Sequence, residues 1–152
     1  MWFKLLSKLS KLDKIDIYTD GGVKDAVSTW AYVIVRDQKI CRESSGRIDT
    51  NDCNYAELTA AANALKSISK KSNITIYTDS RIVVDTMTLW APIWSNQNWL
   101  KKNKRPIPFV DIIKELYHLN SLHNIRWRWV KSHSGNTFNE RCDQLCRQTY
   151  YY

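Results

Sequence analysis

Ile15-Asp16-Ile17-Tyr18-Thr19-Asp20 and Ile74-Thr75-Ile76-Tyr77-Thr78-Asp79 are two copies of one pattern, and their reading decides the fold. Each is rich in β-branched and aromatic residues, as strands are, and each closes on an aspartate. At the ends of adjacent parallel strands both aspartates would point into one crevice, the place where open α/β sheets take their ligands. Singly, each aspartate reads equally well as a turn or helix cap.

Working outward, Asp20-Gly21-Gly22 reads as turn residues that stop the first strand. Thr29 to Arg36 is apolar on both faces, the mark of a central strand, and Lys39 to Ser45 follows across the short Asp37-Gln38 turn, giving an antiparallel meander. Asn54 to Ile68 is rich in Ala and Leu, with Leu58, Ala61, Ala62 and Leu65 at helical spacing. Asp79-Ser80 is expected to cap a helix through Met87. Residues 89–108 are tryptophan-rich, then basic, then punctuated by prolines. Val110 to Leu119 reads as a helix, Ile125 to Lys131 as an alternating strand and Phe138 to Cys146 as a last helix. The order predicts an α/β fold, a five-stranded mixed sheet of antiparallel meander plus parallel strands, flanked by helices.

A chain of 152 residues is large enough to bury one core without staples. Its 43% hydrophobic content excludes a disordered tail, and no apolar run approaches the ~20 residues of a membrane span, so no stable membrane insertion is expected. Cys41, Cys53, Cys142 and Cys146 form no CxxC or His/Cys cluster and read as reduced thiols, the last two as small buried residues on one helix face. The expected setting is intracellular and cytoplasmic, with nuclear, organellar and viral contexts also compatible. The formal net charge of +8 is uneven: 13 Lys and Arg stand against 11 Asp and Glu in residues 1–95, and 10 against 4 in residues 96–152. Such an excess favours a polyanion, either nucleic acid or an anionic membrane surface, over and above a merely solvated basic face. Residues 1–13, with Trp2, Phe3, Leu5, Leu6 and Leu9 among Lys4, Lys8 and Lys11, form an amphipathic basic extension that packs on the body, frays, or docks to a surface.

Two further acids matter. Glu57 lies one turn into the Ala-rich helix, and Asp143 lies in the last helix behind the Lys131-Ser132-His133-Ser134-Gly135 stretch. With Asp20 and Asp79 they make four carboxylates, each at a strand end or near a helix start, suited to hold divalent cations over one end of a sheet. Two hard cations about 3.5 to 4 Å apart lower the pKa of an attacking water and neutralise a scissile phosphate, so the cluster fits phosphodiester hydrolysis.

Five ordered blocks carry a family resemblance: Tyr18-Thr19-Asp20-Gly21, Asn54-Tyr55-Ala56-Glu57-Leu58, Tyr77-Thr78-Asp79-Ser80, Trp129-Val130-Lys131-Ser132-His133-Ser134-Gly135 and Asn139-Glu140-Arg141-Cys142-Asp143. Together they resemble type 1 ribonuclease H. The resemblance implies a catalytic domain over 14–152 and a Mg2+-dependent endonuclease. It would cleave the RNA strand of RNA–DNA hybrids with two metal ions, leaving 5′-phosphate and 3′-hydroxyl ends, with Mn2+ as a possible substitute. It implies that Asp20, Glu57, Asp79 and Asp143 are the metal ligands and that His133 is the auxiliary group for proton transfer or product departure. Trp90, with Lys101, Lys102, Lys104 and Arg105, resembles the basic protrusion, about residues 90–106, that grips the DNA strand. Trp94 and Trp99 divide between packing and contact. Asn54 and Glu57 are the expected readers of the 2′-hydroxyl. A monomer is expected.

The sequence departs from the family pattern in three places. The loop after Asp20 is short, the stretch Thr50-Asn51-Asp52-Cys53-Asn54 before Glu57 alters the DNA-phosphate pocket, and Arg81 replaces a neutral polar residue. Two other readings remain: a nuclease of the same general fold acting on DNA, and a non-catalytic hybrid-binding module.

Overall fold

The computed structural model describes residues 11–151; the amphipathic extension read at the N-terminus therefore lies almost wholly outside the described residues. Five strands form one sheet in the order β3-β2-β1-β4-β5: β1 (Lys14–Lys24), β2 (Val27–Arg36), β3 (Lys39–Ile48), β4 (Asn73–Thr78) and β5 (Asn124–Trp129). The first three are an antiparallel meander, and β4 and β5 add in parallel to β1. This is the mixed sheet expected from the strand patterns.

Helix α1 (Cys53–Lys66) covers one face of the sheet. Asp52 caps it by accepting from Tyr55 N at 3.1 Å, and Ala56, Ala60, Ala61, Ala62 and Ala64 are all buried. Alanine there does two things: it favours the helix and lets the backbone approach the sheet closely. Ile15, Ile17, Ile74 and Ile76 meet it from the sheet, with Leu58, Leu65 and Leu116 completing that core. The opposite face, Tyr18, Ala31, Val33 and Val35, packs against Cys142 and Cys146 of α5 (Thr137–Tyr151). The two thiols donate to β1 carbonyls, Cys142 Sγ to Tyr18 O at 3.1 Å and Cys146 Sγ to Asp20 O at 3.7 Å. All four cysteines are free.

Two expectations need correction. Asp20-Gly21-Gly22 does not stop the strand: β1 runs on to Lys24, with Asp20, Gly21 and Gly22 paired to Ala31, Trp30 and Thr29. The turn falls later, at Asp25-Ala26, both at positive φ (50° and 63°). The glycine serves close approach: a Cβ on Gly21 would lie 2.6 Å from Glu57 N. Nor does the helix after Ser80 end near Met87. Helix α2 (Arg81–Asp85) widens into a π turn, Thr86–Trp90, and continues as α3 (Ala91–Ser95). Pro92 lacks an N–H and its ring excludes the carbonyl four residues back, and the widened turn before it, with Ala91 N donating to Thr86 O, accommodates both. The remaining helix, α4 (Val110–Ser121), packs on α1. Among the described residues no helix is long and apolar enough to cross a membrane.

Candidate active site

The parallel register of β1 and β4 matches Tyr18 with Tyr77 and Thr19 with Thr78, which brings the next residues, Asp20 within β1 and Asp79 just past β4, together where the parallel pairing ends. Glu57, one turn into α1, comes down on them from the helix layer. One carboxylate oxygen from each of Asp20, Glu57 and Asp79 lies within 4.8 Å of the others. Glu57 is almost fully buried, and its Oε2 has no hydrogen-bond partner. Burial, then the charge of Asp79, pushes Asp20 up to about 7. Burial, then Asp20 and Asp79, holds Glu57 well above the usual carboxylate range. Three carboxylates so placed either share protons or bind a cation, and an orphaned buried carboxylate oxygen facing two more is the donor set that hard divalent cations take.

Asp143 stands apart from those three. It lines the same cavity of about 400 Å3, together with Asp20, Asp79 and His133, but its Oδ2 is paired with Arg147 one turn along α5 at 3.0 Å. His133 is exposed on the loop between β5 and α5, at φ 53° and two residues before Gly135 at φ 88°. Ser132 Oγ donates to Asp79 Oδ2, fastening that loop to a cluster carboxylate.

The substrate candidates divide. Asn54, Trp90 and Lys101 line one groove of about 330 Å3 with Phe109 and Ile113, on the α1 side of the carboxylates. Trp90 is 48% exposed and stacks on Trp94 at 6.1 Å. Trp94 and Trp99 are partly buried against the core, Trp99 edge-on to Tyr117 at 5.5 Å, so their packing role is met directly. Lys102, Lys104 and Arg105 sit exposed on a turn closed by Lys104 N donating to Lys101 O and Lys101 N to Arg105 O.

The geometry has counterparts among known proteins. The ribonuclease H family model matches residues 13–151. The chain is 36% identical to a ribonuclease H of Ehrlichia canis over 139 residues, covering 90% of this chain and 94% of that one. It is 37% identical to a ribonuclease H of Wolbachia pipientis over 142 residues, covering 92% and 97%. The chain belongs to the ribonuclease H family. As a ribonuclease H it is a nuclease and a hydrolase. Its fold matches LC9-RNase H1, a type 1 RNase H with the type 2 active-site motif, at a TM-score of 0.78, 22% identity and coverage of 91% of this chain and 72% of that one. It also matches LC11-RNase H1, solved in complex with RNA/DNA hybrid, at 0.67, 20% identity and coverage of 88% and 94%.

This ribonuclease H also places at the site residues that sequence reasoning passed over. Asn139 is buried with Oδ1 unpartnered, one turn before Asp143 and lining the same cavity. Its spacing of four from Asp143 was the available signal. Arg147 carried the same signal on the other side. The Arg81 guanidinium lies 4.0 Å over the ring of Trp129, whose Nε1 donates to Asp79 O at 3.0 Å. That link crosses from β5 to α2 and leaves no trace in local sequence.

Proposed function

We propose that the chain is an endonuclease that hydrolyses the RNA strand of RNA–DNA hybrids, leaving 5′-phosphate and 3′-hydroxyl ends. The observation that carries the proposal is the Asp20, Glu57, Asp79 cluster with its orphaned Glu57 oxygen, set where the parallel pairing of β1 and β4 ends in a ribonuclease H chain. Asp20, Glu57, Asp79 and Asp143 would hold two Mg2+ ions, with Mn2+ able to replace them; when bound they supply a water of lowered pKa and offset charge on the phosphate.

The chain's own residues do the rest. Asp20 bridges the two sides of the cluster, its Oδ1 held by Gly21 N at 2.9 Å. Ser132 keeps Asp79 oriented and carries His133 to the cavity rim, where the imidazole gives a proton to the leaving 3′ oxygen or assists product departure. Asn139 is positioned to orient Asp143. The groove of Asn54, Trp90 and Lys101 receives the DNA strand, with Lys102, Lys104 and Arg105 reaching phosphates beyond it, so that the body from residue 14 onward works as one catalytic domain with a protrusion at about 90–106. Glu57 and Asn54, both on α1 beside the cut strand, read the 2′-hydroxyl.

Turnover of matched hybrid, duplex RNA and duplex DNA in Mg2+ tests this reading. Hybrid is expected to be cut and the two duplexes left intact. Preferential cutting of duplex DNA would replace the substrate assignment, and tight hybrid binding with no Mg2+- or Mn2+-dependent cleavage would replace catalysis by binding.

A further inference from the structure

The cavity that holds Asp20, Asp79 and His133 does not end at the carboxylates. It runs along β1 past Gly22 and Val23 to Lys24 and is walled there by Tyr150 and Tyr151 of α5. Lys24 Nζ lies 5.1 Å from the centroid of the Tyr150 ring and 4.8 Å from that of Tyr151, and it donates to the Tyr151 hydroxyl.

This placement is fixed from several sides. Tyr150 donates its hydroxyl to Asp25 Oδ2 at 2.8 Å and stacks edge-on against Tyr151 at 5.1 Å. Arg47 Nε donates to Thr149 O at 2.9 Å, and a second guanidinium nitrogen donates to Tyr150 O, so the end of α5 is fastened to β3. The Asp25-Ala26 turn, at positive φ, brings Lys24 back under the two rings. Among the described residues Lys24 forms no carboxylate ion pair. Of its three N–H donors one goes to Tyr151, and two remain for a ligand.

A pre-placed ammonium between two aromatic faces, at the far end of a cavity whose near end is a carboxylate cluster, is suited to an anion that continues from that cluster. Four residues of strand separate Lys24 from Asp20, a span of about 13 Å. The strand being cut extends on either side of the scissile phosphate and presents further phosphates at that scale. We propose that Lys24, held between Tyr150 and Tyr151, contacts a phosphate of the cleaved strand flanking the scissile position. The inference rests on the proposed hydrolysis of hybrids. It adds a hold on the cut strand in a cavity separate from the groove of Trp90 and Lys101, made by a residue from the part of the chain, residues 1–95, whose charge is nearly balanced.

The experiment uses the full chain, a labelled RNA–DNA hybrid and chelator, so that binding is read without cleavage, over a series of salt concentrations. Wild type is compared with Lys24→Ala and Lys24→Arg, and kcat and KM are then measured in Mg2+. One lost phosphate contact reduces the slope of log affinity against log salt by about 0.7 to 0.9. At low salt it weakens binding about fivefold, the scale of one lysine near an anionic surface. Lys24→Ala is expected to show both effects and a raised KM with kcat nearly unchanged. Lys24→Arg is expected to keep the wild-type slope, and trimming the cut strand on the flank that Lys24 reaches should erase the difference between wild type and Lys24→Ala. An unchanged slope for Lys24→Ala, with or without a lower melting temperature, overturns the proposal and leaves Lys24 a fastener of the turn. If wild type itself neither binds nor cuts the hybrid, the proposed function fails first and this inference with it.

Discussion

A Cβ added to Gly21 would lie 2.6 Å from the backbone nitrogen of Glu57 and 2.8 Å from the carbonyl carbon of Ala56. Both neighbours are backbone atoms near the start of α1, so neither can rotate away. This contact sets the height of Glu57 over Asp20 and Asp79. Gly21→Ala must therefore push α1 off β1. The expected outcome is a loss of about 1–3 kcal/mol in unfolding free energy. A fall of about 100-fold in turnover should accompany it, the scale of an ångström's misplacement in a catalytic group. Denaturant titration and hybrid turnover on the same variant check this; activity falling only in proportion to stability would show that the contact does not position Glu57.

Asp20 gives the fold a defined pH dependence in the absence of divalent cations. Its carboxyl stands at about 7 in the folded chain and at about 3.9 in the unfolded one. Between those values the folded chain binds more protons, so stability in chelator falls as pH rises from about 4 to 7, on the order of 4 kcal/mol for this group. A cation held by the ionised cluster opposes that loss. Melting curves across this range are expected to slope downward in chelator, to flatten in Mg2+, and to become shallower in Asp20→Asn without any metal, buried Glu57 keeping the remainder of the slope. A wild-type melting temperature that rises with pH in chelator would contradict the clustered carboxylates.

Cys53 offers a readout of the cluster that does not depend on activity. Burial, then Glu57, Asp20 and Asp79, pushes its thiol up to about 11, which slows alkylation at pH 8. A divalent cation on those carboxylates cancels part of their charge. Iodoacetamide labelling followed by mass spectrometry is expected to show Cys53 reacting faster in Mg2+ than in chelator. Cys41, exposed and remote from the cluster, should react alike in both, while buried Cys142 and Cys146 stay unlabelled. An unchanged Cys53 rate would mean that no cation sits beside it.

The tryptophans separate binding from folding. Trp90 is 48% exposed in its groove, whereas Trp99 packs against the core and Tyr117. Trp90→Ala is expected to weaken hybrid binding by about 1–3 kcal/mol, the range for a lost stacking platform, and to leave the melting temperature within a few degrees of wild type. Trp99→Ala should cost roughly 2 kcal/mol of stability. Anisotropy and thermal melts on the pair check both, and the opposite assignment would exchange their roles.

These positions also show what a sequence carries. Asp20 and Asp79 were legible because the same six-residue pattern precedes each, and parallel pairing of like strands brings like ends together. Glu57 was legible because alanine spacing marks one buried helix and places the acid one turn into it. Gly21-Gly22 misled, since glycine reads locally as a turn while its reason here is a distance to a helix 36 residues away. The expected helix end at Met87 was too early, because the π turn that carries the chain on into α3 depends on packing around Met87 and Ala91 rather than on propensity. Ser132, Asn139 and Arg147 gain their roles only when the loop before α5 closes over Asp79, and Lys24 only when the end of α5 meets the β1–β2 turn.

The most direct test of the carboxylate cluster as a nuclease centre is cleavage of an RNA-labelled RNA–DNA hybrid by wild type and Asp20→Asn, each in Mg2+ and in chelator, with product ends identified. The account predicts cutting by wild type in Mg2+ alone, to 5′-phosphate and 3′-hydroxyl RNA ends, and none in the other three reactions although Asp20→Asn still folds and binds hybrid. Cleavage by Asp20→Asn at near wild-type rate, or by wild type in chelator, would contradict it.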